Sequence, residues 1–123
     1  MEGKPVKLIS FYEDQWIAPG ADRAYFGQLA KAFGVDWQMI REWSEAEIPE
    51  GSSIVVCEQV GSVDLKDFEH PEKAVYVFGR TGHNITNVIP SYDHSLHIPT
   101  PRNISLFSIE AASIIMVHRF RLW

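Results

Sequence analysis

Residues 74–79 read Ala74-Val75-Tyr76-Val77-Phe78-Gly79. Five apolar or aromatic residues in a row, closed by glycine, are the pattern of a strand covered on both faces and ended by a turn. Upstream, Ser53-Ile54-Val55-Val56-Cys57-Glu58 repeats that pattern, and Val6-Lys7-Leu8-Ile9-Ser10-Phe11-Tyr12 is a third strand of β-branched, aliphatic and aromatic residues. Continuous rather than alternating apolar strands belong to parallel sheets, whose crossovers lay helices on the faces.

The segments between the strands agree. Pro19-Gly20 marks a turn, and Asp22 is placed to cap a helix with apolar residues at Tyr25, Phe26, Leu29, Ala30 and Phe33. That spacing forms one stripe on a helix, and Gly34 follows as its C′ residue. Val35-Asp36-Trp37-Gln38-Met39-Ile40 is a short second strand, and Pro49-Glu50-Gly51 is a turn. Residues 61–71 are polar, a loop with one helical turn at 65–68; residues 84–89 form a short helix stopped by Pro90. Ser95-Leu96-His97-Ile98 is the last strand, ended by Pro99. A final helix is expected to begin near Asn103 and to span 104–120, apolar on more than one face, with Ser105, Ser108 and Ala112 keeping one edge small. The expectation is one α/β domain over residues 1–123, a mostly parallel sheet with helices on both faces.

At 123 residues, 46% hydrophobic and 22% charged, the chain has the composition of one soluble globular domain. The start Met1-Glu2-Gly3-Lys4 lacks the apolar run of a signal peptide, and residues 111–117 are too short to span a bilayer. The single cysteine, Cys57, suits a reducing compartment, so a cytoplasmic location is expected. Net charge is −5, but residues 42–72 hold nine acids against one base. The remainder is net positive by three, so a basic face can coexist with an acidic one.

Ligands of open parallel sheets bind beyond the carboxyl ends of the strands. Three ends stand out here: Cys57-Glu58, Phe78-Gly79 and Ile98-Pro99. Gly79 and Gly82 allow close approach to the main chain, and the start of the last helix adds free N–H donors. These features indicate a polar ligand site without naming the ligand; glycines after strands also serve as plain turns. No phosphate-binding Gly-x-x-x-x-Gly-Lys loop and no Gly-x-Gly-x-x-Gly is present. His94 and His97, three apart on a strand, face opposite ways, and no Cys or His pairing suggests a metal site.

Together, Tyr76-Val77-Phe78-Gly79, Ile98-Pro99, and Ser105-Leu106 followed by Ala111-Ala112-Ser113-Ile114 resemble the three C-terminal signature segments of the SpoU/TrmH-type SPOUT RNA methyltransferases. Residues 67–74 and, more loosely, 29–35 are similar to that family as well. The resemblance implies a C-terminal trefoil knot that binds S-adenosyl-L-methionine, a homodimer packed through the last helix, and methyl transfer to RNA. The acceptor it implies is a tRNA ribose 2′-hydroxyl. Carried over by position, the cofactor residues are Cys57, Glu58, Phe78, Gly79, Gly82, Ile98, Ser105 and Leu106. Arg80 and Arg102 are candidate substrate contacts, and His118, Arg119 and Arg121 are further cations that phosphate could meet.

Three positions depart from the family pattern. Its Phe-Gly-x-Glu glutamate is Thr81, its Ser-Leu-Asn asparagine is Phe107, and its N-terminal arginine is Gln28. Arg23, five residues earlier and ~140° round a helix, is the candidate catalytic residue, approaching from the helix start. The rival reading is a catalytically silent methyltransferase-like protein that keeps the cofactor pocket.

Overall fold

The computed structural model describes residues 4–11, 21–58, 63–79, 85, 88–102, 104 and 106–122, with the backbone alone at 21 and 22. Among these residues six strands form a single parallel sheet: β1 (Val6–Phe11), β2 (Asp36–Ile40), β3 (Ser53–Cys57), β4 (Val63–Asp64), β5 (Ala74–Phe78) and β6 (His94–His97). Their order is β2-β1-β5-β3-β6-β4. Two α-helices are described, α1 (Ala21–Phe33) and α2 (Ser108–Arg119). Neither is long and apolar enough to cross a membrane.

β5 is buried along its whole length because both neighbours run level with it. Val6 to Ser10 of β1 pair with Ala74 to Phe78 on one side, and Ser53 to Cys57 of β3 pair with the same residues on the other. Asp93 sets the start of β6: its carboxylate accepts from the Ile54 amide at 2.7 Å while its own amide donates to the Ile54 carbonyl at 2.9 Å.

Each sheet face has its own core. Val6, Leu8, Val55, Tyr76, Phe78 and Leu96 pack under Phe26 and Ala30 of α1 and Ala112, Ile115 and Met116 of α2. Ile9, Phe11, Val56, Val75 and Val77 pack under Ile85, Ile89 and the segment bearing Trp43, Ala46 and Ile48. Burying each of the larger side chains contributes about 1.5–3 kcal/mol. Helices on both faces were expected. Both described α-helices lie on the first face, and the second carries the 3-10 turn Trp43–Glu45 and the turn at Ile85, whose carbonyl accepts from the Val88 and Ile89 amides. Gln38 and the nearly buried Lys7 strap that segment down: the Gln38 amide bonds both Glu45 and Glu47, and Lys7 Nζ donates to the Glu47 carbonyl at 2.7 Å. Burial lowers the Lys7 pKa, against the opposing pull of Glu47 and Asp36.

α1 ends as its sequence predicts. Gly34 has φ +66°, and the Val35 amide reaches back to the Ala30 carbonyl at 3.0 Å, the C″-to-C3 bond of a Schellman motif. α2 starts later than predicted, at Ser108 rather than near Asn103, and is not yet helical at Leu106. Thr100 explains the delay. Its hydroxyl accepts from the Ile104 amide at 3.0 Å and donates to the Ile104 carbonyl at 3.1 Å, fixing a turn there. Glu110 then reaches back to the Phe107 amide at 2.8 Å, which makes Phe107 the N-cap. β4, two residues long, is an addition where a loop was expected; the helical turn at Leu65–Asp67 follows it. Asp22, Asn84 and Asn103 bear on expectations whose side chains lie outside the described residues.

The far end of α2 is clamped to the start of β5. Arg119 donates to the Pro71 carbonyl at 2.6 Å, the Glu72 carbonyl at 2.8 Å and the Tyr76 hydroxyl at 3.0 Å. The Tyr76 hydroxyl is also 2.6 Å from His70 Nδ1, and His70 Nε2 is 2.7 Å from His118 Nδ1. Burial first, then the positive charge of His118, Arg119 and Arg121, lowers His70 to about 4. Burial raises the Tyr76 phenol to about 12 against the pull of Arg119. Beyond the helix, Arg121 takes C′ with φ 54°, its amide on the His118 carbonyl and the Leu122 amide on the Val117 carbonyl. Only glycine adopts that backbone freely; a side chain there costs roughly 1–2 kcal/mol.

Candidate functional site

Because β5, β3 and β6 are neighbours, the three strand ends singled out in the sequence meet at one edge. Cys57 is level with Phe78 on one side and Leu96 on the other. One step on, the Glu58 amide donates to the Leu96 carbonyl at 2.9 Å. The first turn of α2 lands on the same edge, where the buried Ser108 hydroxyl donates to the Gly79 carbonyl at 2.7 Å. Segments more than twenty residues apart are thus joined by a short hydrogen bond.

They enclose a cavity of about 60 Å³. Cys57 and Glu58 supply its β3 wall, Leu96 and Ile98 its β6 wall, and Ile104, Leu106 and Ala111 the side toward α2. Ile104 is 67% exposed and stands at the mouth as an apolar lip. Among the described lining residues the one charged side chain is Glu58. The Cys57 thiol leans on the Val55 carbonyl at 3.8 Å and is pushed well up from its ordinary pKa, by burial first and by the Glu58 charge second. It is a small wall group rather than a nucleophile, because thiolate formation is suppressed.

Four of the eight expected cofactor residues, Cys57, Glu58, Ile98 and Leu106, line this cavity. Phe78 instead turns its ring into the core, 6.1 Å from Phe26, so only its backbone is at the edge. Gly79 is present through the carbonyl that Ser108 holds. Gly82, Ser105 and Arg80 lie outside the described residues. Arg23, in the first turn of α1, and Arg102 are exposed and are not among the residues lining the cavity.

Sequence reasoning passed over Leu96, Ile104, Ala111 and Ser108. Leu96 was open to discovery, since it shares a strand face with Ile98. Ser108 had been noted only as a small residue, and Ile104 only as an apolar turn of a helix. No group of three His, Cys, Asp or Glu residues converges as a metal site among the described residues. His94 lies against Phe68 and His97 against Asp64 at 3.6 Å, on opposite faces as the spacing predicted.

No family model matches the chain, and no curated protein does. Solved structures do match it. One, from work on 2-OH methylation of C/U34 on tRNA, superposes with TM-score 0.70 at 14% identity, covering 98% of this chain and 92% of that one. A second, assigned as an RNA methyltransferase of Bacillus anthracis, gives 0.67 at 18% identity over 94% and 92%. A third, assigned to a methylase family in Haemophilus influenzae Rd KW20, gives 0.64 at 10% identity over 94% of this chain and 65% of its own. At these identities the likeness is one of fold: an α/β chain with a six-stranded parallel sheet, similar in architecture to structures assigned to methylation.

Proposed function

We propose that this protein is an RNA methyltransferase that uses S-adenosyl-L-methionine to methylate a ribose 2′-hydroxyl of tRNA. The observation that supports it most is the meeting of three strand ends and the start of α2 around one cavity, in a fold shared with structures assigned to RNA methylation. The cavity's chemistry fits part of such a ligand. Leu96, Ile98, Ile104 and Leu106 offer apolar contact to a ring, strand-end amides and carbonyls offer hydrogen bonds, and the Glu58 carboxylate favours a cationic sulfonium or amino group. About 60 Å³ is well below the roughly 300–1,000 Å³ of a site that takes in a whole small molecule. A whole adenosyl ligand therefore extends over the mouth, past Ile104.

The bound donor would supply an activated methyl group. The chain's task is alignment, which is where most of the acceleration of such a transfer arises. Cys57, Glu58, Ile98 and Leu106 would hold the donor with the main chain of Phe78 and Gly79, and Gly82 and Ser105 would complete the site. Arg23 would face the acceptor, with Arg80 and Arg102 on its phosphates. A trefoil knot is the chain path this reading entails. Homodimerisation would pack α2 against its copy and cover Ile114, which is exposed here.

Methyl incorporation into unmodified tRNA tests the reaction, and calorimetry with the donor and its demethylated product tests the pocket. Labelled methyl on tRNA is expected, and its loss with Arg23→Ala would support the role of Arg23. Donor binding without transfer would instead favour the silent reading. One observation lends that rival weight: the described cavity wall carries a single charged side chain, and the family asparagine is replaced by Phe107, whose amide is already held by Glu110.

A further inference from the structure

α2 presents a second feature at its other end. Past the clamp on β5, an open groove of about 620 Å³ is bordered by His70, His118, Arg119, Phe120 and Arg121, with the buried Phe68 and the acidic Glu69 also lining it. These basic groups do not have equal freedom. Arg119 spends its guanidinium on Pro71, Glu72 and Tyr76, and His70 uses both ring nitrogens on Tyr76 and His118. His118 keeps Nε2 clear of that chain. Arg121 is exposed and forms no side-chain hydrogen bond or ion pair among the described residues.

Arg121 is also the residue whose backbone is strained. It occupies the C′ position of a complete Schellman motif at φ 54°, where glycine fits better and where its own α1 counterpart is Gly34. An arginine at a glycine position costs stability, which directs attention to what its side chain does. It lines the groove. We propose that Arg121, with the free edge of His118, forms a phosphate-binding subsite for the RNA backbone at the end of α2 opposite the methyl-donor cavity. RNA rather than a free anion is favoured because the half-exposed Phe120 ring borders the same groove, and a ring beside a guanidinium suits a nucleotide. The twelve-residue helix separates the two sites by ~18 Å, a span that an extended strand of RNA covers.

This rests on the RNA reading above, and the test separates the two. Fluorescently labelled unmodified tRNA is titrated with wild type, Arg121→Gly and Arg121→Ala across a salt series. Both variants should bind about fivefold more weakly near 0.1 M salt, with a log K against log salt slope lower by about 0.7–0.9, one phosphate's worth. Arg121→Gly should at the same time raise the melting temperature by about 2–5 °C, because it relieves the φ, whereas Arg121→Ala should not. Stability and RNA affinity moving in opposite directions in one variant is a result no purely structural role produces. Unchanged affinity and slope in both variants overturn the subsite while leaving the RNA reading intact. Loss of inorganic phosphate binding by calorimetry with tRNA affinity unchanged makes the occupant a free anion and also overturns it. Wild type that binds no tRNA at any salt overturns both.

Discussion

Acid should weaken this fold through one imidazole. His70 is held neutral in the folded chain, at about 4, while the unfolded chain restores it to 6.5. Between those values the unfolded state takes up a proton that the native state refuses, so stability is whole above pH 6.5 and drains away as pH falls toward 4. The full displacement corresponds to at most about 3.4 kcal/mol. His70 is only partly buried, and solvent screening roughly halves that, leaving about 1.5 kcal/mol. The structural cause is explicit. With Tyr76 on Nδ1 and His118 on Nε2, a charged His70 would donate in both directions, and His118, Arg119 and Arg121 would all repel it. Carboxylates titrate in the same range, so the measurement must be differential: urea unfolding of wild type and His70→Gln at pH 7, 6, 5 and 4. Glutamine keeps a donor and an acceptor but does not titrate. The gap between the two stability curves should close, or change sign, by about 1.5 kcal/mol on going from pH 7 to 4. Curves that stay parallel to pH 4 would refute the account, and with it the claim that the clamp is sensitive to charge.

Other perturbations probe the two ends of α2 and the turn of α1. Ser108→Ala removes the donor to the Gly79 carbonyl at a buried position; it should cost about 1–2 kcal/mol in urea unfolding and weaken donor binding in calorimetry. Ala111→Leu places three more carbons into a cavity of about 60 Å³; donor binding should fall at least tenfold while the far-UV spectrum is retained. Gly34→Ala forces a Cβ onto φ +66° and should cost about 1 kcal/mol in the same unfolding assay. Tyr76→Phe removes a phenol held protonated to about 12, so the loss of stability that wild type shows between pH 10 and 12 should be reduced in the variant.

Much of the architecture could be read from residue order because the signals were local. β5 and β3 are continuous apolar runs, and the parallel sheet they imply is what forms. α1 carries its stripe and its stop signal within fourteen residues, and Gly34 takes the positive φ its position demanded. The start of α2 was misread because Asn103 and Ser105 have the chemistry of caps, while the competing turn depends on Thr100 meeting Ile104 and on Glu110 meeting Phe107. Two residues, Val63 and Asp64, are too few to show a period, so β4 was invisible. At the cavity, Cys57, Glu58 and Ile98 were legible as strand ends and Leu106 through the family resemblance, but the side chains that close it from α2 were not. The clamp joins His70 to His118 and Tyr76 to Arg119 across more than forty residues, and no window of sequence contains both partners.

The two anchors of α2 also decide what can move. Ser108 holds its first turn to the residue that follows β5, and Arg119 holds its last turn to the residues that precede β5. A helix tied at both ends to one buried strand cannot slide along it without breaking a charge-assisted bond at one end or orphaning a buried hydroxyl at the other, each worth about 1–3 kcal/mol. Widening the cavity for a ligand must then fall to its remaining wall, the stretch carrying Ile104 and Leu106, which the Thr100 turn braces beyond the point where Ile98 packs on the core. That assigns the opening step to the turn joining Thr100 and Ile104. Thr100→Val, which removes both hydroxyl bonds at a partly exposed site, should therefore speed ligand entry and exit in stopped-flow binding while changing global stability by less than about 1 kcal/mol. Entry rates that respond to Ser108→Ala but not to Thr100→Val would place the moving part in the helix and reverse the argument.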